Sequence, residues 1–385
     1  MTEGVALAHD YATQRGGAER VALLLAQAFP GSPMYTTLYD AAGTFPEFAG
    51  LELRTSRLDR VGVLRRNHRL ALPVLSRAVD GQQVDADVLV ASSTGWAHGY
   101  RGARRTVVYC HAPARWLYQR DRYLGPADGG VAHRARRAVV AGGLATVAPG
   151  LRRWDAAAAA RADVYLANST VTQRAVREAY GIEAEVVPPP PAMMPAGPER
   201  EVPGVGPGFL LCVARLLPYK NVDVVIEAAQ AAGRELVVVG AGPDRARLAA
   251  LAALAARGGR GPARAHLLGR VDDESLRWLY RNAAMLVAAS HEDYGLSPLE
   301  AGAFGHPSVV LRDGGYLDTV VEGVNGVFFD APRSDLVAEA VQVAADVRWD
   351  DSGLAAHVDR FSLPRFVARM RAVVAEQRAL DGAGR

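Results

Sequence analysis

The chain has 385 residues, half of them hydrophobic, a formal net charge of +3 and two cysteines. That length suits two domains with full cores, and the lack of long polar tracts excludes a disordered chain. The small net charge gives no ground for nucleic-acid binding, although residues 1–190 carry 23 Arg against 17 Asp and Glu.

The opening MTEGVALAHD lacks the charged segment of a targeting signal and runs straight into a predicted strand at 4–10. AHDYATQRGGAERV then reads as strand, glycine pair and helix, with Gly16 and Gly17 at the carboxyl end of the first strand. LRTSRLDRVGVLRRNHR at 53–69 is predicted as an arginine-rich amphipathic helix with Leu58, Val61 and Leu64 at three-residue spacing. It is read either as a solvated face or as a face for a membrane surface. Strands follow at 86–93, 105–111 and 162–169. The Asp85–Asp87 string DAD begins one of them and is read as surface rather than as a metal site. His111 ends the strand RTVVYCH before a proline-containing loop and is the first choice for a functional histidine; His98 is the second. A further basic stretch, AHRARRAVV, occupies 132–140, and AVVAGGLATVAPG at 138–150 is too short and glycine-rich to span a bilayer.

Nothing else in the sequence is as dense in Pro and Gly as residues 188–208, which predicts an interdomain hinge over 191–207. Domains are accordingly expected at 1–190 and 208–362, with a final helix, 363–385, packing back on the first. Beyond the hinge, apolar strands at 209–215, 235–242, 265–271, 283–290 and 307–313 alternate with helices. Strands apolar throughout and separated by helices predict parallel sheets covered on both faces. The fold class is therefore α/β, two doubly wound Rossmann-like domains facing a cleft, with ligands at the carboxyl ends of strands. Cys110 and Cys212 read as small core residues of reduced, cytoplasmic strands in different domains.

Of the 44 basic residues, Lys220 is the only lysine. It follows Arg215 by five positions on one strand-to-helix turn, a place suited to an anion. After the strand AAMLVAAS, Glu292 and Glu300 stand eight residues apart. Gly295 permits close backbone approach, Ser297 is expected as N-cap and Pro298 as first helical residue. The amides of Gly295, Leu296 and Ser297 would then form an anion site at a helix N-terminus.

Arg215-x4-Lys220 followed by Glu292-x7-Glu300 resembles the donor site of the retaining glycosyltransferases of sequence family four, which have the GT-B fold. VGAGPDRARL at 240–249, LLGRVDDESLRWLYRNA at 267–283 and GVNGVFF at 323–329 resemble that family too. The resemblance implies that Arg215 and Lys220 bind the diphosphate of a nucleotide sugar. It gives the sugar hydroxyls to Glu292, the ribose to Glu300 and the nucleobase to the backbone around Arg270 and Val271. It further implies that Gly16 and Gly17 reach the donor phosphates and that His111 contacts the donor sugar. HDYATQRGGAERV and YCHAPARW look most like O-antigen and exopolysaccharide mannosyltransferases, which points to GDP-mannose. One departure is Asp318, where the family usually has a glutamate.

The implied activity is a metal-independent transfer of a hexose, with retention of configuration, to a glycan or lipid-linked acceptor. No cofactor beyond the nucleotide-sugar co-substrate, no metal and no nucleic-acid partner is expected. The expected location is cytoplasmic, at the inner face of the cell membrane if the basic helices touch lipid. VGAGPDR has two of the three glycines of a dinucleotide fingerprint, which disfavours a dehydrogenase. The rival readings are a UDP-sugar transferase acting on a small natural-product acceptor and a non-catalytic nucleotide-sugar-binding protein.

Overall fold

The computed structural model describes residues 4–118, 146–258 and 264–383. The chain divides into two compact units, residues 1–189 with 363–385 and residues 190–362. The basic stretch at 132–140 lies outside the described residues.

The first unit is built on a parallel seven-stranded sheet in the order β3-β2-β1-β4-β5-β6-β7. Its strands are β1 (Val5–His9), β2 (Met34–Thr36), β3 (Leu53–Thr55), β4 (Val88–Ser93), β5 (Arg105–Cys110), β6 (Val164–Ala167) and β7 (Glu185–Val186). Strand side chains alternate between faces, so Ala6, Ala8, Leu89, Ala91, Val108 and Cys110 enter one core layer. Val5, Leu7, Val88, Val90, Val107 and Tyr109 enter the other, beneath the helices Gly17–Ala28 and Leu363–Ala383. The terminal helix contributes Phe366, Met370, Val373 and Val374 to that layer and so belongs to the first unit.

The second unit holds a parallel six-stranded sheet in the order β10-β9-β8-β11-β12-β13. Its strands are β8 (Phe209–Val213), β9 (Leu236–Val239), β10 (Ala265–Gly269), β11 (Ala283–Ala288), β12 (Ser308–Leu311) and β13 (Gly326–Phe329). Both sheets therefore have the doubly wound order, with the winding reversed between β1 and β4 and between β8 and β11. Cys110 and Cys212 are buried in β5 and β8, and no disulfide joins them.

Three expectations are corrected. The stretch predicted as a hinge, 191–207, is part of the second unit. Met193 and Val205 bury their side chains in its core, and the Met193 amide donates to Glu300 Oε1 at 3.2 Å. Apolar side chains among the prolines thus anchor a segment that composition alone marks as linker. The region 53–69 is not one helix but β3, a 3-10 turn at Arg57–Arg60 and a short helix at Gly62–Arg66. Ser56 caps the turn by accepting from the Leu58 amide at 3.2 Å, which breaks the run. Leu58 and Leu64 consequently pack on the core, whereas Val61 and Val63 are 47% and 60% exposed. The third correction concerns the cap of a second-unit helix, given with the site below. Strands β2, β3, β7 and β13 were not anticipated, being two to four residues long and without readable periodicity.

Asp10, buried directly after β1, ties the first sheet together at its reversal. Its carboxylate accepts from the amides of Thr94 at 2.5 Å, Trp96 at 3.0 Å and Ala97 at 2.6 Å, and from the Thr94 hydroxyl. The Asp10→Ala variant strands these donors in a dry loop and is expected to lose about 3 kcal/mol of unfolding free energy. Urea denaturation checks this, and a loss below about 1 kcal/mol would show that other contacts hold the loop. In the second unit Gly240 has φ +140, and a β-carbon there would stand 1.9 Å from the Ala214 carbonyl oxygen. Backbone cannot yield as a flexible side chain does, so Gly240→Ala is expected to lower the melting temperature of the protein measurably.

Candidate active site

The second unit gathers its charged groups where the winding reverses. After β8 the chain turns through Arg215 and Leu217, whose amide donates to the Arg215 carbonyl at 2.8 Å, into a short 3-10 turn at Pro218–Lys220. Asn221 follows in the left-handed region with φ 50, a conformation asparagine tolerates better than most residues. Its side-chain amide donates to the Ala289 carbonyl at 2.8 Å, pinning the turn to the end of β11. This clamp sets the Lys220 ammonium against the Glu292 carboxylate, with which it forms an ion pair. The same carboxylate oxygen accepts from the Ser290 hydroxyl at 2.7 Å. Lys220 is 7% exposed and its Nζ lies 5.1 Å from the centre of the Tyr219 ring. Arg215 is exposed, and its Nη2 donates to the Tyr219 hydroxyl at 3.2 Å. Beneath them, burial pushes the Cys212 thiol up to about 12 against the opposing pull of the Lys220 charge, so it stays a neutral core group.

The helix Leu296–Ala303 begins at this point, capped by Gly295 rather than by Ser297. Pro298 is therefore in the third helical position, and the expected cap is corrected by two residues. The reason is steric: a β-carbon on Gly295 would stand 2.5 Å from Tyr316 Cδ1, so only glycine lets the chain enter the helix so early. The amides of Leu296 and Ser297 lie in the first turn, where helical geometry offers no acceptor. Tyr316 is fully buried and hydrogen-bonds Ser290 and Ser297. Burial first, and then the Glu292 charge, raises its phenol well above the ordinary range. Glu300 is buried on the same helix, accepting from the Tyr280 hydroxyl at 2.6 Å and from the Met193 amide at 3.2 Å.

Further along the same edge, Gly240 donates its amide to the Gly269 carbonyl at 2.8 Å, joining the ends of β9 and β10. Gly242 lies against Leu216, whose carbonyl oxygen would be 2.1 Å from an added β-carbon. Arg270, exposed, and Val271, half-buried, follow β10. The structure thus brings Arg215, Lys220, Glu292, Gly295, Leu296, Ser297 and Glu300 to neighbouring strand ends, with Arg270 and Val271 two strands away.

In the first unit Gly16 is the N-cap and Gly17 the first residue of the helix Gly17–Ala28. His111 follows β5 and is buried, its Nε2 2.8 Å from Ser92 Oγ. Burial chiefly, and then the charges of His9 and Arg115, lowers it from the ordinary 6.5 to about 3, so the ring is neutral near neutral pH. His98 instead faces the opposite layer, with Nδ1 3.0 Å from Ser93 Oγ and Nε2 3.1 Å from Asp155 Oδ1. Asp155 also accepts from the Tyr118 hydroxyl at 2.8 Å, so His98 is a partner in a buried structural network. His9, Asp10, Glu19 and Ser92 were missed from the sequence. The polar pairs His9–Asp10 and Ser92–Ser93 ending two apolar strands were the available signal. Among the described residues, no group of three His, Cys, Asp or Glu side chains could hold a metal ion.

Residues 198–346 match the family model described as glycosyl transferases group 1. A D-rhamnosyltransferase, WbpZ of Pseudomonas aeruginosa, is 37% identical over 108 residues, 27% of this chain and 27% of that protein. A D-inositol 3-phosphate glycosyltransferase of Geodermatophilus obscurus is 30% identical over 257 residues, 58% of this chain and 56% of its own length. The chain thus spans about a quarter to just over half of these curated relatives. Among solved structures, Anabaena Alr3699/HepE in complex with UDP and glucose superposes with a TM-score of 0.64 at 16% identity, covering 97% of this chain and 99% of that one. By fold both units are like those of GT-B proteins, and by sequence residues 198–346 match the glycosyl transferases group 1 model.

Proposed function

We propose that this chain is a retaining glycosyltransferase that moves a hexose from a nucleotide sugar, with GDP-mannose preferred, to a glycan or lipid-linked acceptor. The observation that carries the reading is the Lys220–Glu292 pair at the reversal of the second sheet, beside the first-turn amides of Leu296 and Ser297. A cation and a carboxylate held together beside free amides suit a ligand that combines an anion with hydroxyls. In this reading the diphosphate takes over Lys220 and draws in Arg215, and the released Glu292 carboxylate accepts from the sugar hydroxyls. Glu300, on the same helix, takes the ribose. The backbone at Arg270 and Val271 meets the base. The donor-phosphate role of Gly16 and Gly17 and the sugar contact of His111 belong to the same proposal.

The bond between the anomeric carbon and the phosphate oxygen breaks with its electron pair on the diphosphate. The acceptor oxygen forms the new bond on the same face, and its proton passes to the released diphosphate. Lys220 and Arg215 are there to stabilise the charge that develops on the leaving group, without a metal ion. An ammonium on a flexible stem can follow that charge as the bond lengthens.

A second reading, a UDP-sugar donor, is favoured by the fold-mate that binds UDP and glucose. A thermal-shift comparison of GDP, UDP, ADP and dTDP, each with and without EDTA, separates the two. A saturating nucleotide at a hundred times its dissociation constant stabilises the fold by about 2.7 kcal/mol. The expected result is an EDTA-insensitive shift with GDP; a shift with UDP alone selects the second reading. Lys220→Ala and Glu292→Ala are each expected to cut turnover by about a hundredfold or more while circular dichroism shows both folded. Wild-type rates in either variant would sink the site assignment.

The acceptor side of the proposal rests on the segment after β3. Val61 and Val63 project among the exposed Arg57, Arg60, Arg65 and Arg66, a pattern suited to the inner face of a membrane with anionic lipid. No helix among the described residues is long and apolar enough to cross a membrane. Co-sedimentation with vesicles containing phosphatidylglycerol is expected for the wild type and is expected to fall in the Val61→Asp, Val63→Asp double variant. Equal sedimentation of the two would detach this segment from the membrane reading.

A further inference from the structure

His111 is held by its backbone from both sides. Its amide donates to the Ser93 carbonyl at 2.9 Å, and its carbonyl accepts from the Thr172 hydroxyl at 3.0 Å and the Asn168 amide at 3.4 Å. Its ring is held by Ser92, whose hydroxyl stands 2.8 Å from His111 Nε2. That hydroxyl is also 3.1 Å from His9 Nδ1, and the Ser92 carbonyl oxygen is 3.3 Å from the same nitrogen.

These contacts favour one placement of the protons. A carbonyl oxygen can only accept, so His9 Nδ1 carries a hydrogen. Ser92 Oγ, as a second acceptor from that N–H, keeps its single hydrogen for His111 Nε2. His111 Nε2 is then the unprotonated nitrogen, and in the neutral ring the hydrogen sits on Nδ1. Behind His9, its Nε2 faces Glu19 Oε1 at 4.0 Å, and that oxygen accepts from the Gln14 side-chain amide at 3.0 Å. Glu19 itself is 1% exposed, and an added β-carbon on Gly16 would stand 2.6 Å from its Oε2. The glycine at the helix cap therefore makes room for the carboxylate at the far end of the chain of contacts.

Strand parity explains why these groups meet. His9 and Ser92 are register partners on β1 and β4, and Ser92 is likewise paired with Tyr109 of β5, two residues before His111. All three point to the layer covered by the helix Gly17–Ala28, which supplies Glu19.

We propose that Ser92 and His9 are positioning residues that lock His111 in its Nδ1–H tautomer, so that His111 meets its ligand as a hydrogen-bond donor and not as a proton acceptor. The inference rests on the reading of His111 as a contact of the donor sugar. An N–H donor suits a sugar hydroxyl oxygen or oxygen charge growing during transfer, and it withholds from the ligand the one lone pair that could act as a base.

The test begins on the full, ligand-free chain with 15N-labelled histidine, the His111 signals being assigned by their loss in His111→Asn. Long-range nitrogen–proton correlation at pH 7 is expected to show a protonated Nδ1 and a bare Nε2 on His111. The opposite tautomer overturns the proposal whatever the enzyme proves to transfer. Ser92→Ala is then expected to mix the tautomers and lower turnover with GDP-mannose or UDP-glucose by about tenfold, the worth of one hydrogen bond. Ser92→Thr, which keeps the hydroxyl, is expected to restore both. An unchanged tautomer and rate in Ser92→Ala would also overturn it. Absence of transfer from either donor by the wild type would count against the proposed function, while the nitrogen spectra still decide the lock.

Discussion

Each sheet reverses its winding once, and the placement of every candidate residue follows from that constraint. Right-handed crossovers on either side of the reversal send the two connecting helices to opposite faces of the sheet. The loops leaving the two central strands therefore diverge, and backbone groups at those strand ends are left to be satisfied by polar side chains. Asp10 does this in the first unit by collecting three amides of the Thr94–Ala97 loop. Asn221 does it in the second by reaching the Ala289 carbonyl. Both residues fasten the exit of one central strand to the exit of its neighbour, and the charged groups are built on these fastenings.

In the second unit the fastening explains the single lysine among 43 arginines. The turn Pro218–Lys220 is short and its last side chain is directed inward, to 7% exposure, between the Tyr219 ring and the Glu292 carboxylate. A compact ammonium satisfies one carboxylate there. A guanidinium is planar and bulkier, and an arginine side chain is longer, so it suits this short inward turn less well. Arg215, on the exposed side of the same turn, has no such restriction.

The first unit shows how far one residue of register decides a side chain's fate. Ser92 and Ser93 are adjacent, yet the first hydrogen-bonds His111 and the second His98. The alternation of the strand sends them to opposite layers. On one side His98 closes a network with Asp155 and Tyr118 in the core under Trp96 and Trp154. On the other, His111 sits at the end of a line running back through Ser92 and His9 towards Glu19.

Much of this was legible in the sequence. The apolar strand runs fix the class of sheet because a strand buried on both faces has no polar positions to spare. The spacings Arg215 to Lys220 and Glu292 to Glu300 are local, so each pair could be placed on its own strand-to-helix turn. What the sequence could not show is what depends on distant partners. Met193 and Val205 turn a proline-rich segment into part of a core only because Glu300 and the second sheet stand ready to receive them. Gly295 becomes the helix cap because Tyr316 crowds it from another element. The pairing of Lys220 with Glu292, 72 positions apart, and of Ser92 with His9, 83 apart, is decided by strand order and register. Local pattern determined which elements form; long-range packing alone decided which side chains meet.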